Sequence, residues 1–366
     1  MPLFAREFRI TAAASSLSIS VTTGCLAFSM LLAGGLSEVF GRKPMMAASL
    51  FTSAALTVAS AFMPTWPGVL AFRGLEGIAF SGLPSVAMAY LSEEMDRDAV
   101  GLAMGLYIGG TAIGGMSGRL LVGVLTDAVS WRFALATVGV LGLVAAAVFW
   151  RSLPPSLHFE RHPFLIGRLT RLMSEHLTDA PLRWLYCEGF LLMGTFVTIY
   201  NYVGFRLVEP PYSLTQSQIG LIFIVYLIGA GSSAWIGNLA GRFGRRNMVW
   251  LTISIMLVGV LVTAGRPLSV IILGVALFTF GFFGAHSVVS SWVGLRARHS
   301  RAQASSLYLF FYYLGSSIVG FSGGFFWHAH RWTGVVAFTA FLLLLAVFIP
   351  AVRLQLQPCS DVARSS

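Results

Sequence analysis

The sequence predicts an all-α, polytopic transmembrane helical bundle. Three observations carry that prediction: 56% of the 366 residues are hydrophobic, only 10% are charged, and the apolar residues fall in long runs rather than in short alternating stretches. A soluble protein carries about 25% charged residues. A chain with this little charge cannot clothe a water-facing surface, so the lipid bilayer is its expected solvent. Strands in hydrocarbon must close into a barrel, and the ten-residue alternation of a barrel is absent.

A spanning helix needs about 20 mainly apolar residues. Eleven runs meet that length, near 16–36, 45–63, 69–91, 99–126, 133–150, 184–204, 219–240, 248–264, 268–294, 303–326 and 333–352. Most connections are short, as at Arg266-Pro267 and Ser130-Trp131-Arg132, so successive spans run antiparallel. The stretch 151–183 is long and basic. It divides the chain into a first half at 1–150 with five spans and a second half at 184–352 with six, followed by a tail at 353–366.

The formal charge of +10 is nearly all arginine. The arginines sit in clusters between apolar runs, without the aromatic-basic interleaving of a nucleic-acid surface. Counted by alternate connections, sixteen Lys and Arg fall on one side and six on the other. The richer side is expected to be cytoplasmic, which places the central loop and the C-terminus inside. Residues 1–10 carry Arg6, Glu7 and Arg9 and make no apolar signal core. Cys25, Cys187 and Cys359 have no metal-site or disulfide spacing and read as small hydrophobes. No metal or cofactor is expected.

An internal repeat ties the halves together. Gly34-Gly35-Leu36-Ser37-Glu38-Val39-Phe40-Gly41-Arg42-Lys43 matches Gly237-Asn238-Leu239-Ala240-Gly241-Arg242-Phe243-Gly244-Arg245-Arg246 at an offset of 203, and Trp131 matches Trp332 at 201. With five spans against six, the first half is expected to lack its first helix, as a truncated gene product or a natural variant. Two parallel repeats of six spans form a known transporter architecture.

Together these residues resemble the major facilitator superfamily along essentially the whole chain. Gly34 to Lys43 is similar to the family's Gly-x-Leu-Ala-Asp-x-x-Gly-Arg-Lys signature, with Glu38 in place of Asp. Arg73-Gly74-Leu75-Glu76-Gly77 is similar to its Arg-x-x-Gln-Gly pattern. Gly110, Gly114 and Gly118 keep part of the glycine pattern of drug/proton antiporters, without its proline and its last glycine. The resemblance is closest to bacterial inner-membrane arabinose-efflux and multidrug permeases. It implies a proton-coupled exporter of small organic compounds, working by alternating access as a monomer.

Under that resemblance Gly34, Glu38, Gly41, Arg42 and Lys43 form a cytoplasmic gate, with Glu38 meeting the N-terminus of the helix that starts near Gln303. Arg73 and Glu76 share a helix face and can pair. With Glu188, a carboxylate inside a span, they are the candidates for proton coupling. Gly110, Gly114 and Gly118 make a smooth face for helix packing. Tyr200, Asn201, His286, Ser290, Tyr308 and Tyr312 are the candidates for a substrate cavity. Arg119 has no role in this reading.

Other functions remain in competition. An importer of sugars or organic acids would use the same scaffold, and a truncated chain could be inactive. A membrane enzyme or haem subunit needs clustered acids or facing His pairs, and the seven His are scattered. No phosphate-binding Gly-Lys-Ser/Thr loop is present, so ATP drive and enzymatic chemistry are not expected.

Overall fold

The structure is a computed structural model that describes all residues except 96, 157–158, 160–165, 298–300 and 351–366. The expected tail at 353–366 and part of the central loop lie outside the described residues. Among the described residues there is no strand. Among these residues eight helices are long and apolar enough to cross a membrane; several of the expected spans are arranged differently from the sequence reading, as follows.

The first half contains α1 (Pro2–Glu7), α2 (Ala12–Phe40), α3 (Arg42–Ala61), α4 (Trp66–Phe80), α5 (Gly82–Glu94), α6 (Arg97–Ala128) and α7 (Trp131–Ser152). The single span expected at 69–91 is two helices meeting at Ser81. Pro84 explains the break, because it has no amide hydrogen and its ring crowds the carbonyl four residues back. The central segment is not only a loop. It contains α8 (Ile166–Thr178), whose apolar and polar residues separate onto opposite faces.

The second half contains α9 (Ala180–Val208), α10 (Gln216–Ile222), α11 (Tyr226–Phe243), α12 (Arg245–Val262), α13 (Leu268–Arg296) and α14 (Arg301–Phe348). A 3-10 turn at Phe223–Val225 joins α10 to α11. The two last expected spans are both in α14, separated by non-helical backbone at His330 and Arg331.

Helix starts follow capping chemistry. Thr11, Thr65, Ser130 and Thr215 each accept a hydrogen bond from an amide of their own first turn, and Thr215 forms a full capping box with Gln218. Such a cap contributes about 1 kcal/mol.

The repeat is visible in the backbone. Gly41 ends α2 with φ +97, and Gly244 ends α11 with φ +85. A Cβ is unfavourable at that angle, so the glycine of each motif copy is needed for the reversal. The residues that follow also correspond. Lys43 Nζ donates to Leu153 O at 2.5 Å, where α7 ends. Arg246 Nε donates to Pro350 O at 2.9 Å, just past α14. Each half thus ties its motif to the end of its own last helix.

Packing differs between the halves. The second half is filled by aromatic and branched side chains around α9, with Phe196 stacked on Phe282 at 3.8 Å and Phe278 at 6.0 Å. Both halves also bring helices close at glycines: Gly77 lies against Thr22 and Gly139 against Val58 and Ala54 in the first, Gly281 against Thr252 and Gly315 against Phe190 in the second. Helices in lipid associate through such close backbone approach, because lipid gives apolar side chains little reason to leave it.

Candidate functional site

The halves meet along two seams, α2 against α14 and α6 against α10 and α11. On the first seam, Ser317 Oγ donates to Ser20 O at 2.7 Å, Ala13 lies under Gly324, and Phe28 meets Phe310 at 5.3 Å. On the second, Asp127 accepts from Gln216 N at 3.1 Å and from Ser217 N and Ser217 Oγ at 2.6 Å each. An acid there suits the start of α10 and its unpaired amides. Gly123 permits the approach, since a Cβ would lie 2.6 Å from Gln216 O.

All these contacts lie at mid-depth or at the end away from the Gly41 turn. At the motif end, the described contacts of the motif stay within the first half. Arg42 is buried, and its guanidinium grips Glu93 with two hydrogen bonds, at 2.7 and 3.1 Å, while donating to Ser37 Oγ. Lys43 lies over the Trp150 ring at 5.1 Å. Glu38 is half-buried and has no hydrogen bond or ion pair among the described residues. A Cβ at Gly34 would meet nothing within 4 Å.

Between the seams is a cleft of about 570 Å³. It is walled by α1, α2, α4, α6, α7, α9 and α10, and its volume is within the usual range for a small ligand. Tyr200 and Asn201 line it, as do Gly114, Gly118, Arg73 and Arg119. A Cβ at Gly110, Gly114 or Gly118 would meet no atom within 4 Å, so these glycines border open space in this structure. The close approach on α6 is at Gly123 instead.

Burying an arginine at the centre of a spanning helix costs about 2.5–3.5 kcal/mol on insertion scales, which marks the half-buried Arg73 for attention, whereas Arg119 is exposed to the cleft. Arg73 Nη1 donates to Glu76 Oε2 at 2.8 Å, and Thr57 Oγ1 donates to Glu76 Oε1 at 2.8 Å. Arg119 has no acidic partner among the described residues. Its Nη1 donates to Gly115 O at 2.9 Å, and its guanidinium lies over Phe223 at 4.8 Å and Tyr226 at 5.2 Å. The sequence holds no local signal for this, because the two rings come from the other half.

The remaining candidates lie elsewhere. His286 Nδ1 and Tyr308 Oη are 2.8 Å apart, and Tyr312 packs on His286 at 4.7 Å, all inside the second half. Ser290 Oγ donates to Ser287 O of its own helix at 3.2 Å. Glu188 is fully buried on α9, and among the described residues neither carboxylate oxygen has a hydrogen-bond partner. Its neighbour Gly189 lies against the Tyr308 ring, where a Cβ would come within 2.6 Å. The structure therefore separates Tyr200 and Asn201, in the cleft, from His286, Tyr308 and Tyr312, in the packed second half.

α1 covers the end away from the motif. Glu7 accepts hydrogen bonds from Trp131 Nε1 and Arg132 Nη1. Burial works against its charge, but the bonds from Arg132 and Trp131 outweigh that and hold its carboxyl below the usual range.

Two helical halves related by a repeat, with a ligand-sized cleft and charged groups at their interface, define an integral-membrane carrier of small molecules. The chain belongs to the major facilitator superfamily, whose family description matches residues 1–320. It is 49% identical over 349 residues to the uncharacterized MFS-type transporter YybF of Bacillus subtilis, covering 95% of this chain and 86% of that protein. It is 46% identical over 349 residues to the inner membrane transport protein YnfM of Escherichia coli, covering 95% of this chain and 84% of that one. The fold is similar to the crystal structure of a mutant of the nucleoside transporter NupG, with a TM-score of 0.77 at 15% identity over 95% of this chain and 92% of that one. Both sequence relatives are named as transporters, not as enzymes.

Proposed function

We propose that the protein is a proton-coupled exporter of small organic compounds in a bacterial inner membrane, a monomer with its C-terminus in the cytoplasm. In this reading the halves rock about the cleft, and the motif end is the cytoplasmic end. The observation that supports it best is the one-sided closure. Asp127, Ser20 and Gly324 join the halves at mid-depth and at the far end, while the described bonds of the motif residues Arg42 and Lys43 stay within their own half. That pattern fits a carrier closed to the exterior. In the opposite state Glu38, unpartnered among the described residues, would meet the start of α14 and close the cytoplasmic side.

Glu188 is assigned the coupling proton, because a buried carboxylate without a partner must be neutral or find one when the halves move. Arg73 and Glu76 are assigned to the adjoining relay. The kinship to an Escherichia coli inner membrane transport protein supports the location. The deciding experiment is uptake of dye or drug cargo into inverted membrane vesicles under an imposed pH gradient. Unmodified protein should accumulate cargo, Glu188→Gln should lose gradient dependence, and Arg73→Ala should lose most transport. Equal accumulation in all three would remove the proton assignments, and accumulation only in right-side-out vesicles would reverse the direction to import.

A further inference from the structure

We propose that the cleft takes a small organic anion, a ring-sized carboxylate, with Arg119 as its principal charge partner; this rests on reading the cleft as the transport passage. The cleft wall carries Arg73 and Arg119 and, among the described residues, no Asp or Glu. Arg73 has its counter-charge in Glu76 at 2.8 Å. Arg119 has none, and it uses one hydrogen bond to Gly115 O out of the five N–H groups a guanidinium offers.

A second observation points the same way. Asn201 lines the cleft, is only 4% exposed, and its Nδ2 has no hydrogen-bond partner. Arg73 Nε is likewise without one. The wall thus offers unsatisfied donors from two helices in the first half and one in the second. Arg119 is exposed to the cleft, whereas Asn201 Nδ2 and Arg73 Nε are buried, and buried donors left unpaired are rare and need an acceptor. A carboxylate supplies two acceptor oxygens in one plane, which matches the fork of a guanidinium. Tyr200 and Phe223 line the same space and Tyr226 borders it at Gly115, giving apolar faces for a ring. A cationic cargo would instead meet an uncompensated positive charge, and a neutral one would leave it unanswered.

The test uses purified full-length chain in detergent at pH 7 with benzoate, benzamide and benzylamine, which share a ring and differ in charge. Binding is read from tryptophan fluorescence, to which Trp131 in the cleft wall contributes, and from the shift in Tm. Benzoate is expected to bind about tenfold more tightly than benzamide, with benzylamine weakest. Arg119→Gln should abolish the preference for benzoate over benzamide, Arg119→Lys should restore part of it, and Asn201→Ala should weaken benzoate about threefold. Benzamide or benzylamine binding as tightly as benzoate to the unmodified protein overturns the proposal, as does an unchanged preference in Arg119→Gln. If that variant does not fold, the charge series on the unmodified protein decides alone. Loss of gradient-driven transport with the benzoate preference intact overturns the coupling reading and supports the anion site; gradient-driven export of a cation with no benzoate preference does the reverse.

Discussion

The two halves share one repeated pattern but manage charge and packing differently. The first half pairs Arg42 with Glu93 and Arg73 with Glu76, while Arg119 has no acidic partner and Glu38 no polar partner among the described residues. The second half has a continuous aromatic core and buries Glu188 without a partner. The first arrangement neutralises Arg42 and Arg73 within their own half. A common fold therefore carries different charge environments in its two halves.

The sharpest way to break this comparison is at Glu188. If its burial serves function at the expense of stability, Glu188→Met should raise the unfolding free energy in detergent by about 1–3 kcal/mol while removing gradient-driven transport. A variant that is less stable than the unmodified protein would make Glu188 a structural residue and erase the contrast. The next contrast concerns glycine. A Cβ at Gly315 would lie 2.1 Å from Phe190 O, whereas one at Gly110 would meet open space. Gly315→Ala should therefore destabilise by about 1–3 kcal/mol, and Gly110→Ala should be neutral or stabilise by up to about 1 kcal/mol through helix propensity. Thermal unfolding of both variants in one detergent tests this.

A smaller effect is expected at the motif. Arg42 and Arg245 are equivalent in the repeat, but only Arg42 grips an acid among the described residues. Arg42→Ala should cost about 1–3 kcal/mol and Arg245→Ala less than about 0.5 kcal/mol, with a double-mutant cycle against Glu93→Gln assigning the first to the pair. The smallest effect is acid sensitivity at the paired tryptophans. Trp131 donates to the Glu7 carboxylate, while Trp332 Nε1 donates to Thr263 O at 3.0 Å. Because the Glu7 pKa is lowered in the folded protein, its contribution is fully present above the ordinary carboxylate pKa of about 4.3. It is lost as pH falls through the lower folded value. Hydrogen exchange should loosen α1 in that window and leave the start of the rod after Arg331 unchanged; equal loosening at both ends would refute the distinction.

Most of the helical runs and the repeat are legible in the sequence because hydropathy and glycine placement are local properties. Gly41 and Gly244 can be matched by spacing alone, and their φ angles give the reason for the match. The break at Ser81 is hidden because the residues around Pro84 stay apolar on both sides. α8 is hidden for the opposite reason: its segment is too polar for a span, and its signal is the separation of two faces rather than a run of apolar residues. Arg119 has no role in the sequence because Phe223 and Tyr226 lie about a hundred residues away along the chain. His286 and Tyr308 group with Tyr200 by composition, as polar groups within spans, and only packing shows that they face a different interior.

The Asp127 contact has a consequence for how the closure between the halves can vary among relatives. Two of its three donors are main-chain amides at positions 216 and 217. Side-chain replacement on α10 cannot delete those donors, short of proline. Genetic control over the strength of the closure is therefore concentrated in a single codon on the opposite helix, and drift on α10 leaves it largely untouched.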